Sequence, residues 1–150
     1  MIRHRSYLSI TIHLIWSTQL RQSLITPEIE QPLYDYVAAV ALRNGCNVLA
    51  IGGIENHVHL LVTLPTILRL SDLLRDIKGG SSHFIRETLT PDNYFAWQNN
   101  YAAISVSPGH RKRVIAYIHN QKEHHAMGTL QDSLEQDGET YETSTDTASQ

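Results

Sequence analysis

The chain has almost no cysteine. Cys46 is the single one among 150 residues, so no internal disulfide can form, and such usage fits a reducing compartment. Cys46 falls in an apolar segment and reads as a small buried hydrophobe. Long apolar runs are also missing: none approaches the roughly 20 residues that span a bilayer, which predicts a protein without a membrane partner. The first residues, Met1-Ile2-Arg3-His4-Arg5-Ser6, lead into an alternating segment rather than the apolar block of a signal peptide, and a cytoplasmic location is expected. Internal repeats are absent. Lys and Arg are absent from Gly128 to Gln150, where six acids fall. The first 127 residues therefore carry all 12 Lys and Arg against 9 of the 15 acids, a mildly basic body beneath a net charge of -3. That balance is compatible with nucleic acid without requiring it. The Ser-, Thr- and acid-rich remainder has almost no large apolar residue after Leu134. Residues 1–127 are thus expected to form the domain and 128–150 a disordered acidic tail.

What is present is strongly patterned. Leu8, Ile10, Ile12, Leu14 and Trp16 alternate with Ser9, Thr11 and His13, the period of a half-buried strand. Thr26-Pro27-Glu28 opens a helix, with Thr26 as N-cap and Pro27 in its first turn. Leu33, Tyr36, Val37, Val40 and Ala41 continue it to a stop at Asn44-Gly45. Residues 47–54 and 56–64 read as two strands, the second closed by Pro65. A helix capped by Ser71 runs to about Leu89, with Gly79-Gly80 a candidate kink. Residues 94–106 read as strand, Asn99-Asn100 turn and extended stretch. Ser107-Pro108 then opens a last helix that carries Val114, Ile115, Tyr117, Ile118 and Gln121 to about His125. The order β-α-β-β-α-β predicts an α+β, ferredoxin-like (RRM-like) antiparallel sheet with helices on one face. The last helix is surplus to that core. It must cover the open sheet face or pack on a neighbouring molecule.

The chemistry concentrates in two places. In Asn56-His57-Val58-His59-Leu60-Leu61-Val62, strand alternation sends both imidazoles to one face and Val58, Leu60 and Val62 to the other. Two imidazoles one strand-pitch apart can grip one divalent metal, although a His-x-His pair on a solvated sheet face is as ordinary. A third alternating histidine, as in the histidine-triad hydrolases, is replaced by Leu61. Tyr117 and Gln121 stand at i and i+4 on the last helix, followed by His124 and His125. A phenol has a pKa near 10 and needs help to act as a nucleophile. A cation on His57 and His59 would polarise a phosphate, with Gln121 as a neutral oxygen ligand. Such a neutral set suits Mg²⁺ or Mn²⁺.

These segments resemble the HUH-superfamily transposases with one catalytic tyrosine, from small bacterial and archaeal insertion sequences of the IS-two-hundred type. The similarity lies in His13-Leu14-Ile15-Trp16-Ser17-Thr18, in His57-Val58-His59-Leu60-Leu61-Val62 and in Ile77-Lys78-Gly79-Gly80-Ser81-Ser82. It continues through Trp97-Gln98, Tyr101 to Ser107, and Tyr117-Ile118-His119-Asn120-Gln121 ending in His124-His125. The resemblance implies that Tyr117 is the nucleophile, that His57 and His59 ligate a metal, and that Gln121 completes the site. It implies cleavage and rejoining of hairpin-bearing single-stranded DNA through a 5′-phosphotyrosine link. A homodimer with active sites shared between subunits is also implied.

Asn56 departs from the Asp that precedes the motif in many insertion-sequence relatives. Asn is common there in the domesticated repeat-associated tyrosine transposases, often monomeric, which are the nearest alternative. A module that binds hairpins or single strands without cutting, and a metal-dependent hydrolase, are the other classes. Lys78, Arg111, Lys112 and Arg113 are candidate DNA contacts, with a solvated charge run the alternative. Trp97, Tyr94 and Tyr101 are candidates for stacking on bases, with core packing the competing role.

Overall fold

A computed structural model describes residues 6–90, 94–131, 134, 135 and 137. Four strands, β1 (Thr11–Ser17), β2 (Asn47–Ile54), β3 (His57–Thr63) and β4 (Ala102–Ser105), form one sheet in the order β2-β3-β1-β4. Every pairing is antiparallel. Helices α1 (Pro27–Arg43) and α2 (Leu70–Phe84) are inserted as the ferredoxin-like pattern requires. The expected architecture is the observed one.

Strand alternation sorts the sheet into two faces. Leu14, Trp16, Val58, Leu60 and Val62 point into the main core, where Leu33, Val37 and Val40 of α1 and Leu73, Leu74 and Ile77 of α2 meet them. Each such fully buried side chain contributes about 1.5–3 kcal/mol relative to exposure. Cys46 is buried in this core. The opposite face is covered by α3 (Arg111–His119), which sets Val114 and Ile118 against Ala50 and Leu61. The surplus helix therefore closes its own chain's open face. A short α4 (Gln121–Met127) follows, separated from α3 by a break at Asn120.

Several local expectations change. Gly79-Gly80 do not kink α2, which passes through them unbroken before a π-type turn at Ile85–Leu89. A Cβ at Gly80 would overlap the Tyr36 hydroxyl, so this glycine permits α1 and α2 to approach. Neither Thr26 nor Ser71 caps by side chain; Ser71 lies inside α2, whose cap position is Arg69. Between Tyr94 and Tyr101, the strand reduces to one bridge between Trp97 and Thr18. Most of the expected acidic tail lies outside the described residues. Of those described in it, Leu134 packs on the α3 face and Asp137 is buried. No described helix is long and apolar enough to cross a membrane.

Candidate active site

His57 and His59 leave β3 on the face that α3 covers, and both are buried. Each ring is held from behind. His57 donates Nδ1–H to Asn56 Oδ1 at 2.8 Å, and His59 Nδ1 lies 2.8 Å from Nε2 of His13 on β1. These partners turn both Nε2 atoms toward a common centre. His59 Nε2 is a buried nitrogen without a hydrogen-bond partner among the described residues. Burial holds the His59 imidazole below the usual histidine range, although the nearby Glu135 carboxylate opposes the shift. His13 is pushed down to about 3 by burial and then by His59. Both shifts favour the neutral ring, the form in which imidazole nitrogen ligates.

The other half of the site comes from the covering helices. Gly52 of β2 lies directly across from His59 in the sheet register. A Cβ there would overlap the Ile118 carbonyl oxygen, so the missing side chain lets α3 descend onto the sheet. Tyr117, only 2% exposed, then points inward with its ring 6.1 Å from that of His59. Gln121 begins α4 and places Oε1 3.1 Å from His57 Nε2. His125 approaches the same Oε1 at 3.1 Å, and His124 stacks on Tyr117 with ring centroids 4.6 Å apart.

Glu135 sits at the focus, a position that sequence reasoning assigned to the acidic tail. Its Oε2 is 3.4 Å from His57 Nε2 and 3.3 Å from His59 Nε2. Its Oε1 accepts from the Tyr117 hydroxyl and, at 3.0 Å, from Gln121 Nε2. Burial pushes this carboxyl up, but His57, His59 and Tyr117 together outweigh burial and hold it well below the carboxylate range. The phenol responds oppositely: burial and its bond to Glu135 raise Tyr117 to about 12. Leu134 was the one available signal for this segment, an apolar anchor next to an acid; within a Ser-, Thr- and acid-rich run it carries little weight.

His57, His59 and Glu135 form a group that could hold a metal ion. Nitrogen and oxygen ligands bound about 2.0–2.2 Å from one ion stand roughly 3.0–3.5 Å apart at tetrahedral or octahedral angles. The separations of 3.4, 3.3 and 3.1 Å match that spacing, and it accounts for the buried His59 Nε2, which makes no hydrogen bond among the described residues and faces Glu135 Oε2 at 3.3 Å. The donors present therefore fit a divalent cation.

The remaining candidates are dispersed. Lys78 directs its ammonium at the carbonyls of Gln98 and, at 3.1 Å, Asn100. Arg111 donates to Ser9 Oγ and Arg113 to Gln131 Oε1, while Lys112 is exposed. Trp97 packs against Trp16 and Phe95 in the core and donates to Ser81 Oγ; Tyr94 is 61% exposed.

A ferredoxin-like sheet that offers two inward histidines to a tyrosine on its covering helix defines a compact α+β protein with a histidine–tyrosine centre. The chain belongs to the family of IS200-like transposases, whose model matches residues 6–121, and its activity is that of a DNA transposase. It is 27% identical over 129 residues to the ISDra2 transposase TnpA of Deinococcus radiodurans, covering 81% of this chain and 91% of that one. A crystal structure assigned as a transposase from D. radiodurans R1 superposes with a TM-score of 0.64 at 26% identity, covering 81% of this chain and 98% of that chain. A REP-associated tyrosine transposase bound to a REP hairpin shares the fold. Its TM-score is 0.61 at 19% identity, over 87% of this chain and 76% of that one.

Proposed function

We propose that the protein cleaves and rejoins single-stranded DNA at hairpin-marked element ends, with Tyr117 as nucleophile. One observation carries the reading: a carboxylate bridges the Tyr117 hydroxyl and the two histidine Nε2 atoms. A scissile phosphate must make the same bridge, with its phosphorus facing the phenol and a non-bridging oxygen near the imidazoles. His57, His59 and Gln121 would hold Mg²⁺ or Mn²⁺, which when bound offsets the charge that develops on phosphate oxygens. As the Tyr117 oxygen bonds to phosphorus, the bond to the 3′ oxygen breaks; the phenol loses a proton and the departing oxygen gains one. The product is a 5′-phosphotyrosine and a free 3′-OH. Reversal by another 3′-OH rejoins the strand, so no nucleotide cofactor is consumed. The hairpin in the REP-associated relative supports a hairpin as the recognised element.

The test is incubation with hairpin-bearing single-stranded DNA and Mg²⁺ or Mn²⁺, followed by a denaturing gel. A protein–DNA adduct that disappears in Tyr117→Phe supports the transposase; cleaved product without an adduct supports a hydrolase; binding alone supports a non-catalytic module. The domesticated, repeat-associated alternative draws support from Asn56, which accepts from His57 Nδ1 as the family's Asp would. The homodimer with exchanged tyrosine helices is tested by mixing Tyr117→Phe and His57→Ala chains. Restored cleavage supports exchange, and no rescue in a verified heterodimer supports a site complete in one chain.

A further inference from the structure

His57 also lines a pocket beside the centre. Its volume is about 270 Å³, and its lining includes Glu135, Arg21 and Asp137 besides His57 and Ser17, which face each other across the β1–β3 register. Asp137 is 5% exposed. Its Oδ2 accepts from Ser17 Oγ at 2.6 Å and from the Arg21 guanidinium at 2.5 Å. The Arg21 side chain is 48% exposed and lines the pocket.

We propose that Ser17 and Arg21 form a second phosphate subsite for single-stranded DNA, adjacent to the scissile phosphate. The inference rests on the transposase reading of the His57–His59–Tyr117 centre. Glu135 occupies the position where that reading puts the attacked phosphate. Asp137 follows two residues later, at most about 7 Å further along the chain, and engages a hydroxyl and a guanidinium. Both donors suit a phosphodiester oxygen as well as a carboxylate, and arginine is the favoured partner of either anion. Two anions in series along one strand, one over the reactive centre and one on Arg21, reproduce the charge pattern of a nucleic-acid backbone.

Backbone conformation supports the assignment independently. Leu20 and Arg21 adopt φ of 53° and 52°, the left-handed region that non-glycine residues rarely enter. Leu20 is 75% exposed, so no hydrophobic burial compensates. The loop is held there by Gln19 N–H to the Ala96 carbonyl at 2.9 Å and by Leu20 N–H to Gln98 Oε1 at 2.7 Å. Strain maintained by surrounding bonds is characteristic of functional positions, and its effect here is to bring Arg21 to the pocket.

The competing role for Arg21 is to fasten the Asp137 segment. Binding of fluorescein-labelled oligothymidylate, followed by anisotropy against NaCl concentration, separates the two. Asp137→Asn is expected to tighten binding several-fold. A fastener lost in Arg21→Ala would free the segment and likewise tighten binding. A lost subsite instead weakens binding several-fold and lowers the salt slope by about 0.7, one phosphate contact on a single strand. The double variant should bind more weakly than Asp137→Asn alone. Tighter or unchanged binding in Arg21→Ala with an unchanged slope would overturn the proposal. This readout needs no cleavage, so absence of a Tyr117 adduct would remove the transposase reading and leave the subsite result interpretable.

Discussion

His13 Nε2 and His59 Nδ1 lie 2.8 Å apart on neighbouring strands, both rings shut off from solvent. One proton serves this contact. If His59 supplies it, His59 Nε2 keeps its lone pair and faces the centre. With His59 as the donor, the pairing orients the ring and fixes its tautomer, the usual task of a group behind a metal-ligating histidine. Replacing His13 by Ala should weaken Mn²⁺ binding about 10–100-fold, measured by calorimetric titration. Unchanged affinity would reduce His13 to a packing residue.

Gly52→Ala tests how the tyrosine is delivered. The added methyl group meets the Ile118 carbonyl, so α3 must lift while the sheet beneath stays paired. Misplacement of a reacting group by about 1 Å costs roughly 100-fold in rate. Adduct formation should fall by that order while far-ultraviolet circular dichroism remains that of the wild type.

Glu135→Gln tests mutual exclusion at the centre. A carboxylate and a phosphate cannot share the space between Tyr117 and the histidines, and their like charges repel. Without DNA, the variant should bind Mn²⁺ more weakly, having lost an anionic donor. With DNA and saturating metal, adduct yield in a single turnover should rise several-fold. A fall in yield would show that the carboxylate assists the reaction.

The α3 face shows how far the sequence reached. Alternation in β3 put His57 and His59 together opposite Val58 and Leu60, because a strand's period survives any packing. Helical spacing likewise put Tyr117 and Gln121 on one side, and the break at Asn120 did not separate them. His13 was on the right face, but strand order decides whether it meets His59, and order is set by tertiary contacts. Gly52 matters through a backbone atom of a distant helix, which leaves no periodic trace. Glu135 is a single acid among several, distinguished only by where its chain docks. Lys78, a candidate for phosphate by charge, is instead directed at backbone carbonyls.

That tie has a pH signature. Burial lowers the Lys78 pKa from 10.5 to about 8. Between those values the unfolded chain holds the proton and the folded chain does not, so the Lys78 contribution to stability rises as pH climbs through that window. It is fully present above 10.5 and lost as pH falls through about 8. Melting temperatures of wild type and Lys78→Met, compared across that range, should converge or cross toward alkaline pH in favour of wild type. The salt slope of DNA binding should be the same for both; a shallower slope in the variant would restore Lys78 as a phosphate contact.

The central claim is that Tyr117 attacks DNA phosphorus beside His57 and His59. The most direct measurement is mass spectrometry of proteolysed protein after reaction with hairpin-bearing single-stranded DNA and Mn²⁺. The account predicts a nucleotide phosphate on the peptide containing Tyr117, absent when both histidines are changed to Ala. A modified peptide elsewhere, or the same Tyr117 adduct without the histidines, would contradict it.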